Sequence, residues 1–306
     1  MQHIPYVGSG PYCYANSFAM ILGEQAPSTA VIEVTTGGPF GMQLIGGTLM
    51  FFDAYGWNPD LGFDQALSAF GWTSTVTKGG DADEAFDRLT KAAANGPVWV
   101  GPVEMGHFHH QPEMTGPIGA DHYVVVLDVN DQRVLIHDPH GYPYAEVPID
   151  DFMTAWRAET ISYGDPYTMR TEFLKVADIS DADAIRSTIP SAIRWLSMSG
   201  QLDMPPGSLG NGAAAERVAQ MIDGGAGDGL REHLIYFAIR VGARRLSDTA
   251  DCLALAGYPE AAAIATTQAR LVGSMQHPMV TGNLPAAAAA LRELAPTYDR
   301  LRVALA

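Results

Sequence analysis

A thiol, an imidazole and a carboxylate stand at positions from which they can act together. Cys13 follows a Gly-Pro-Tyr turn and opens a stretch of helical composition, Tyr14–Leu22. A helix N-terminus presents unpaired N–H groups and a partial positive charge, and both favour a reactive cysteine. Cys13 is therefore a candidate nucleophile, although a small buried thiol would read the same way. His122 precedes the β-type run Tyr123–Val129, and Asp138 follows the run Val134–His137, just before Pro139. Asn130-Asp131 is a turn signal between them. An antiparallel hairpin brings its two outer ends side by side. The carboxylate can then accept one imidazole N–H, set the tautomer and leave the other nitrogen for a nucleophile. Asp121, next to His122, competes for the orienting role. Asp138 is preferred because the hairpin sets it across from His122 rather than beside it.

Other polar residues are weighed against that constellation. His107, His109 and His110 lie in GHFHHQPE, with Glu104 and Glu113 nearby. Their spacing is not that of a standard closed zinc site, and no cysteine pair accompanies them. The expected role is a polar flap over the site, with His107 and His109 as candidate substrate contacts. No metal and no organic cofactor is expected. His137 should point away from Asp138 if side chains alternate along the strand, while His140 lies past the proline and can approach the cleft. The Gly-rich piece Gly37–Gly47 lacks the Lys-Ser or Lys-Thr of a phosphate loop. Cys252 reads as a core residue among Ala and Leu. Arg240, Arg244 and Arg245 form the largest basic patch, either a solvated helix face or a surface for an acidic partner.

The elements that must position these groups divide the chain near residue 178. Residues 1–178 are dense in Gly, Pro and aromatics, with helices expected over 62–70, 81–95 and 149–158 and β-type runs at 98–103, 123–129, 134–137 and 162–175. Residues 179–306 are rich in Ala, Arg and Leu at helical spacing. Their helices are expected over 181–199, 213–222, 230–246, 248–256, 259–276 and 285–304. The reading is α+β, a mixed catalytic domain over 1–178 and an all-helical domain over 179–306.

Composition narrows the function. Lys plus Arg is 18 against 34 for Asp plus Glu, a formal net charge of −16. Nucleic acid and anionic membrane surfaces are disfavoured as partners, because both need clustered cations. Two cysteines, Cys13 and Cys252, make no disulfide framework, and no apolar run is long enough to span a bilayer. The expected location is cytoplasmic.

The block His122-Tyr123-Val124-Val125-Val126, a turn, and a strand ending in Asp138-Pro139 resembles the papain-like clan, in the branch of the double-glycine leader peptidases. Cys13 at a helix start, Phe152 and Trp156 in an F-x-x-x-W arrangement, and the segment Asp81–Val103 match it as well. The chain more closely resembles the butirosin-biosynthesis acyltransferase family, through Gly10–Leu22, Thr36–Gly47 and the Ala-rich Asp248–Gln276. That resemblance implies a papain-like cysteine peptidase fold with a C-terminal helical domain. It also implies transfer of an acyl or aminoacyl group from a carrier-protein thioester to an amine, in natural-product biosynthesis. Cys13 would carry the acyl group, His122 would be the base, and Asp138 would orient it. The same triad suits a peptidase or amidase, and such a scaffold without chemistry would be a binding protein. The leader peptidases place a Gln six residues before the cysteine for the oxyanion hole; here that position is Val7, and Gln2 is too far upstream. The Cys13 N–H would need a second donor, with Tyr12, Asn16 and His3 as candidates.

Overall fold

The computed structural model describes residues 11–199 and 203–306. Val7, Gln2 and His3 lie outside them. In chain order the helices are α1 (Cys13–Leu22), α2 (Thr29–Thr35), α3 (Pro59–Ala69), α4 (Ala82–Ala93), α5 (Ile149–Trp156), α6 (Asp181–Leu196), α7 (Asn211–Asp223), α8 (Asp228–His233), α9 (Ile239–Leu255), α10 (Pro259–Ser274), α11 (Gln276–Thr281), α12 (Leu284–Leu294) and α13 (Thr297–Leu305). The strands are β1 (Gln43–Ile45), β2 (Leu49–Phe51), β3 (Trp72–Thr77), β4 (Val98–Glu104), β5 (Asp121–Val129), β6 (Arg133–Asp138), β7 (Tyr142–Pro148), β8 (Met169–Lys175) and β9 (Leu209–Gly210). The protein is α+β, with a helical C-terminal region.

Two compact units emerge, and they do not follow the expected division at 178 throughout. One contains Tyr12–Thr29 and Gly71–Asp178; the other contains Ala30–Phe70 and Ile179–Ala306. One boundary between the units falls after Asp178, and Ala30–Phe70 groups with the helical unit. The reason is hydrophobic: Val31, Val34, Phe40, Met42 and Phe52 bury themselves in one core with Ile185, Val218 and Leu253. The Gly-rich segment closes as the β1–β2 hairpin, with Gly46 and Gly47 at positive φ in its turn.

The first unit is built on a six-stranded antiparallel sheet in the order β3-β8-β4-β5-β6-β7. Alternation along the strands sorts the side chains. Val98, Val100, Val124, Val126 and Ile136 pack with Leu89 of α4 and with Phe152 and Trp156 of α5. Trp99 and Tyr123 point the other way, toward α1. Phe18 stacks on Trp99 at 4.7 Å between centroids, and Tyr14 meets Tyr123 edge-on at 6.0 Å. Asp81 caps α4, accepting from the Glu84 N–H, and Ala85, Leu89 and Ala93 form its buried stripe.

β3 and β7 lie outside the helices and strands expected from sequence, and both sit at the sheet's edges. β7 carries Pro143 and Pro148, which an edge strand tolerates because no neighbour needs their N–H. Of the β-type stretch 162–175, only Met169–Lys175 is strand. In the helical unit, residues 239–255 form one continuous helix across the expected break at Ser247. The helix expected over 285–304 is instead two, α12 and α13, parted at Pro296, whose ring cannot continue the first. Ala287 and Ala288 are fully buried, so the alanine run serves close helix packing.

Candidate active site

The site begins with the anchoring of α1 on β5. The Ser17 hydroxyl donates to the Tyr123 carbonyl at 3.1 Å, which ties the first turns of the helix to the strand that begins with Asp121 and His122. The first intrahelical bond recorded in the turn runs from the Asn16 N–H to the Tyr12 carbonyl at 2.8 Å. The N–H groups of Cys13, Tyr14 and Ala15 precede it and stand at the positive end of the helix. Cys13, half-buried, is the first residue of α1, and its side chain is among the groups that raise the proton affinity of the His122 ring.

His122 is 4% exposed, and its Nε2 lies 2.7 Å from Asp138 Oδ1. Since the carboxylate can only accept, Nε2 carries the proton and Nδ1 is left for the thiol. Burial by itself would lower the proton affinity of His122. The hydrogen bonds and charges of Asp138 and Cys13 outweigh it and raise its pKa to about 10. Burial likewise pushes the Asp138 carboxyl upward. The His110 and His122 hydrogen bonds, the His122 charge and the His140 N–H hold it far below the usual carboxylate range. The arrangement is that of an imidazolium held between an ionised carboxylate and a thiol.

The hairpin pairing differs in detail from the expectation. Val125 faces His137, with an irregularity between Val126 and Asp128, so Asp138 lies diagonally across from His122 rather than directly opposite. Asp121, the competing acid, lies close enough to Tyr163 to help raise the pKa of its phenol, whose hydroxyl meets that of Tyr123 at 3.0 Å.

The loop between β4 and β5 supplies what local spacing does not reveal. His110 Nε2 lies 2.8 Å from Asp138 Oδ2, and the Gln111 side-chain amide donates to the same oxygen at 2.7 Å. The His140 N–H donates to Oδ1 at 2.8 Å, and His140 Nδ1 donates to Gln111 Oε1 at 3.0 Å. His110 is legible in sequence only as one of three histidines in a flap, and Gln111 has no signal beyond its place beside it.

Glu104 gives this loop its shape. It is 1% exposed and accepts from the backbone N–H groups of Gly106, Ile118 and Gly119 and from the Thr160 hydroxyl. Burial opposes its ionisation, but those donors leave its pKa lowered. Phe108, fully buried, meets the His122 ring edge-on at 6.3 Å and stacks with Phe152 at 6.2 Å. Among the described residues, no group of three His, Cys, Asp or Glu side chains is arranged to hold a metal ion.

The two histidines expected to touch substrate, His107 and His109, have other surroundings. His107 lines an open cavity of about 400 Å³, together with Glu104, Asp150, Arg157, Glu159 and Tyr167. His109 is exposed and meets Asp151 of α5 at 3.2 Å. The expected oxyanion donors flank the thiol in sequence: Tyr12 is 1% exposed and Asn16 is half-buried one turn along α1. His137 acts structurally, its Nδ1 accepting from the Tyr144 N–H at 3.1 Å.

Residues 205–306 match the model of a family described as the YobF C-terminal domain. Over 307 aligned positions, 98% of this chain and 97% of its relative, the sequence is 27% identical to the uncharacterized protein YobF of Bacillus subtilis (strain 168). The matched family segment lies in the helical unit, outside the stretch that carries Cys13, His122 and Asp138.

In that helical unit the expected basic patch is largely consumed internally. Arg245, 7% exposed, donates to Glu33 and Asp53, and its guanidinium sits 5.9 Å from the Trp57 ring. Arg244 is mostly buried 3.7 Å from Asp248. Cys252 is buried in α9, and desolvation together with Asp248 and Asp251 drives its pKa upward, away from reactivity. No helix among the described residues is long and apolar enough to cross a membrane.

Proposed function

We propose that the protein is a cysteine-dependent acyl-transfer enzyme on a papain-like scaffold, with Cys13 as nucleophile, His122 as acid and base, and Asp138 as the orienting carboxylate. The observation that carries this reading is buried His122, 2.7 Å from Asp138 Oδ1, with Cys13 at the start of α1 acting on the same ring. Of the three, the imidazole is the group whose proton affinity is raised. The triad geometry serves any acyl donor. The resemblance in Gly10–Leu22 and Thr36–Gly47 favours a carrier-protein thioester as donor and a small-molecule amine as acceptor, in a biosynthetic setting in the cytoplasm.

The chemistry proceeds in two half-reactions. Cys13 Sγ attacks the thioester carbonyl as a thiolate, its proton held by His122, and the Cys13 backbone N–H donates to the developing oxyanion. The tetrahedral species collapses, the C–S bond to the carrier breaks, and His122 gives its proton to the departing thiolate. The acceptor amine then attacks the acyl-Cys13 carbonyl and loses a proton to His122. Collapse breaks the acyl C–Sγ bond, releases the amide and restores the thiolate–imidazolium pair. Asp138 stays ionised throughout and holds the ring in one tautomer.

The test is alkylation by iodoacetamide across pH, with the label mapped by mass spectrometry, followed by a panel of acyl thioesters and amines. The expected result is fast labelling of Cys13 below pH 7, slowed in His122→Ala, and a mass increment of one acyl group on Cys13 from a thioester. Labelling no faster than an ordinary thiol, or of Cys252 alone, overturns the reading. Peptide cleavage without any thioester donor would move the assignment to a peptidase or amidase.

A further inference from the structure

Asp138 is the meeting point of two imidazoles, and the mechanism above uses only one. Oδ1 receives His122 Nε2–H and the His140 backbone N–H, whereas Oδ2 receives His110 Nε2–H and the Gln111 amide. The carboxylate itself has no exposed side-chain surface, so any oxygen left without donors would be a buried bare charge.

The His110 ring is used at one end only. Nε2 faces the carboxylate, which requires the proton to be there, and Nδ1 is buried without a hydrogen-bond partner. The ring lies between Phe108, at 5.2 Å, and Tyr142, edge-on at 5.4 Å. A phenylalanine would fill that aromatic slot without burying a lone nitrogen. Packing therefore does not account for an imidazole at this position, whereas the donor to Oδ2 does.

We propose that His110 is a positioning residue of the triad, acting through Asp138: its Nε2–H holds Oδ2 so that Oδ1 remains aimed at His122. This rests on the acyl-transfer reading of Cys13, His122 and Asp138. Gln111 shares the task but is itself held by His140, so the carboxylate is gripped from the 105–120 loop on one side and from the hairpin on the other. The titratable groups around Asp138 are His122 of β5, His110 of the loop and His140 on the β6–β7 turn. Tyr142 of β7 adjoins both His110 and His140, and Cys13 of α1 adjoins His122.

The experiment is the pH profile of Cys13 alkylation in the full chain, measured for wild type, His110→Phe, His110→Gln and Asp138→Asn, with near-ultraviolet circular dichroism to verify the fold. Glutamine can place an amide N–H near the Nε2 position; phenylalanine keeps the ring and removes the donor. With one donor lost, Asp138 is less well held as an anion and loosens its hold on the imidazolium. The acid limb in His110→Phe is expected to move up by about one pH unit, the tenfold scale of a hydrogen bond to a charged group. His110→Gln is expected to return most of that shift. An unmoved limb in folded His110→Phe, with Asp138→Asn altered, overturns the role of His110 alone. That role is equally overturned if His110→Phe fails to fold and folded His110→Gln keeps none of the wild-type profile. A profile indifferent to Asp138→Asn overturns the triad and this inference together.

Discussion

Asp138 holds His122 from a diagonal position on the β5–β6 hairpin, with Oδ1 2.7 Å from Nε2. The carboxylate oxygen therefore reaches along the sheet rather than straight across it. The remaining donors come from the loop and from His140.

That surplus of donors makes the carboxylate irreplaceable by its isostere. In Asp138→Asn, an amide NH₂ must face an N–H whichever way it is turned, since both oxygens now accept. Cys13 reactivity below pH 7 is expected to fall by roughly a hundredfold or more, as a triad imidazole loses its tautomer. Alkylation rates on protein verified as folded check this.

The raised proton affinity of His122 has a consequence for stability. A group whose pKa is higher in the folded state stabilises the fold fully below its unfolded value, and that contribution is lost as pH rises toward the folded value. Here the window runs from about 6.5, the ordinary histidine value, to about 10. Wild type should lose stability relative to His122→Gln across that window, by a few kcal/mol at most. Urea unfolding of both proteins at stepped pH measures the difference.

Glu104 is expected to control the loop rather than the chemistry directly. Glu104→Gln turns an acceptor surrounded by three backbone N–H groups and a hydroxyl into a mixed group that repels one of them. A loss of about 1–3 kcal/mol is expected from the unsatisfied buried donors. Hydrogen exchange should rise over 105–120, and the Cys13 profile should shift in the direction expected for His110→Phe.

Gly106 tests the same loop by sterics. A Cβ there would lie 2.0 Å from the Gly116 carbonyl oxygen, a backbone atom that cannot swing aside. Gly106→Ala should cost about 1–3 kcal/mol, the range for overpacking, and should raise proteolysis within the loop. An unchanged melting temperature would contradict the close approach.

In the helical unit, Arg245→Met would strand Glu33 and Asp53 without their shared cation. Removing one partner of a buried ionic network typically costs about 3–5 kcal/mol. A thermal melt is the check, and recovery in the triple variant Glu33→Leu, Asp53→Leu, Arg245→Met would show that the stranded charge is the cause.

Local pattern carried a good deal. The run Tyr123–Val129, the turn at Asn130-Asp131 and the run ending before Pro139 specify a hairpin, because alternation and turn chemistry act over neighbouring residues. Acids at the start of 82–93 and apolar residues every third or fourth position specify α4 in the same way. A cysteine just after Gly-Pro-Tyr begins a helix for equally local reasons. What pattern could not carry is which surfaces meet. Whether Cys13 reaches His122 depends on Phe18 and Tyr14 finding Trp99 and Tyr123, contacts between segments far apart in the chain. The hairpin pattern already favours Asp138 over Asp121 as the partner of His122, whereas the nearness of Asp121 to Tyr163 is decided only by the tertiary structure. His110 joins Asp138 because Glu104 folds the intervening loop back on itself, and Ala30–Phe70 leaves its neighbours because its apolar side chains fit the helical core. Short-range periodicity is written residue by residue, whereas burial is a property of the whole chain's surfaces and is decided only when they pack.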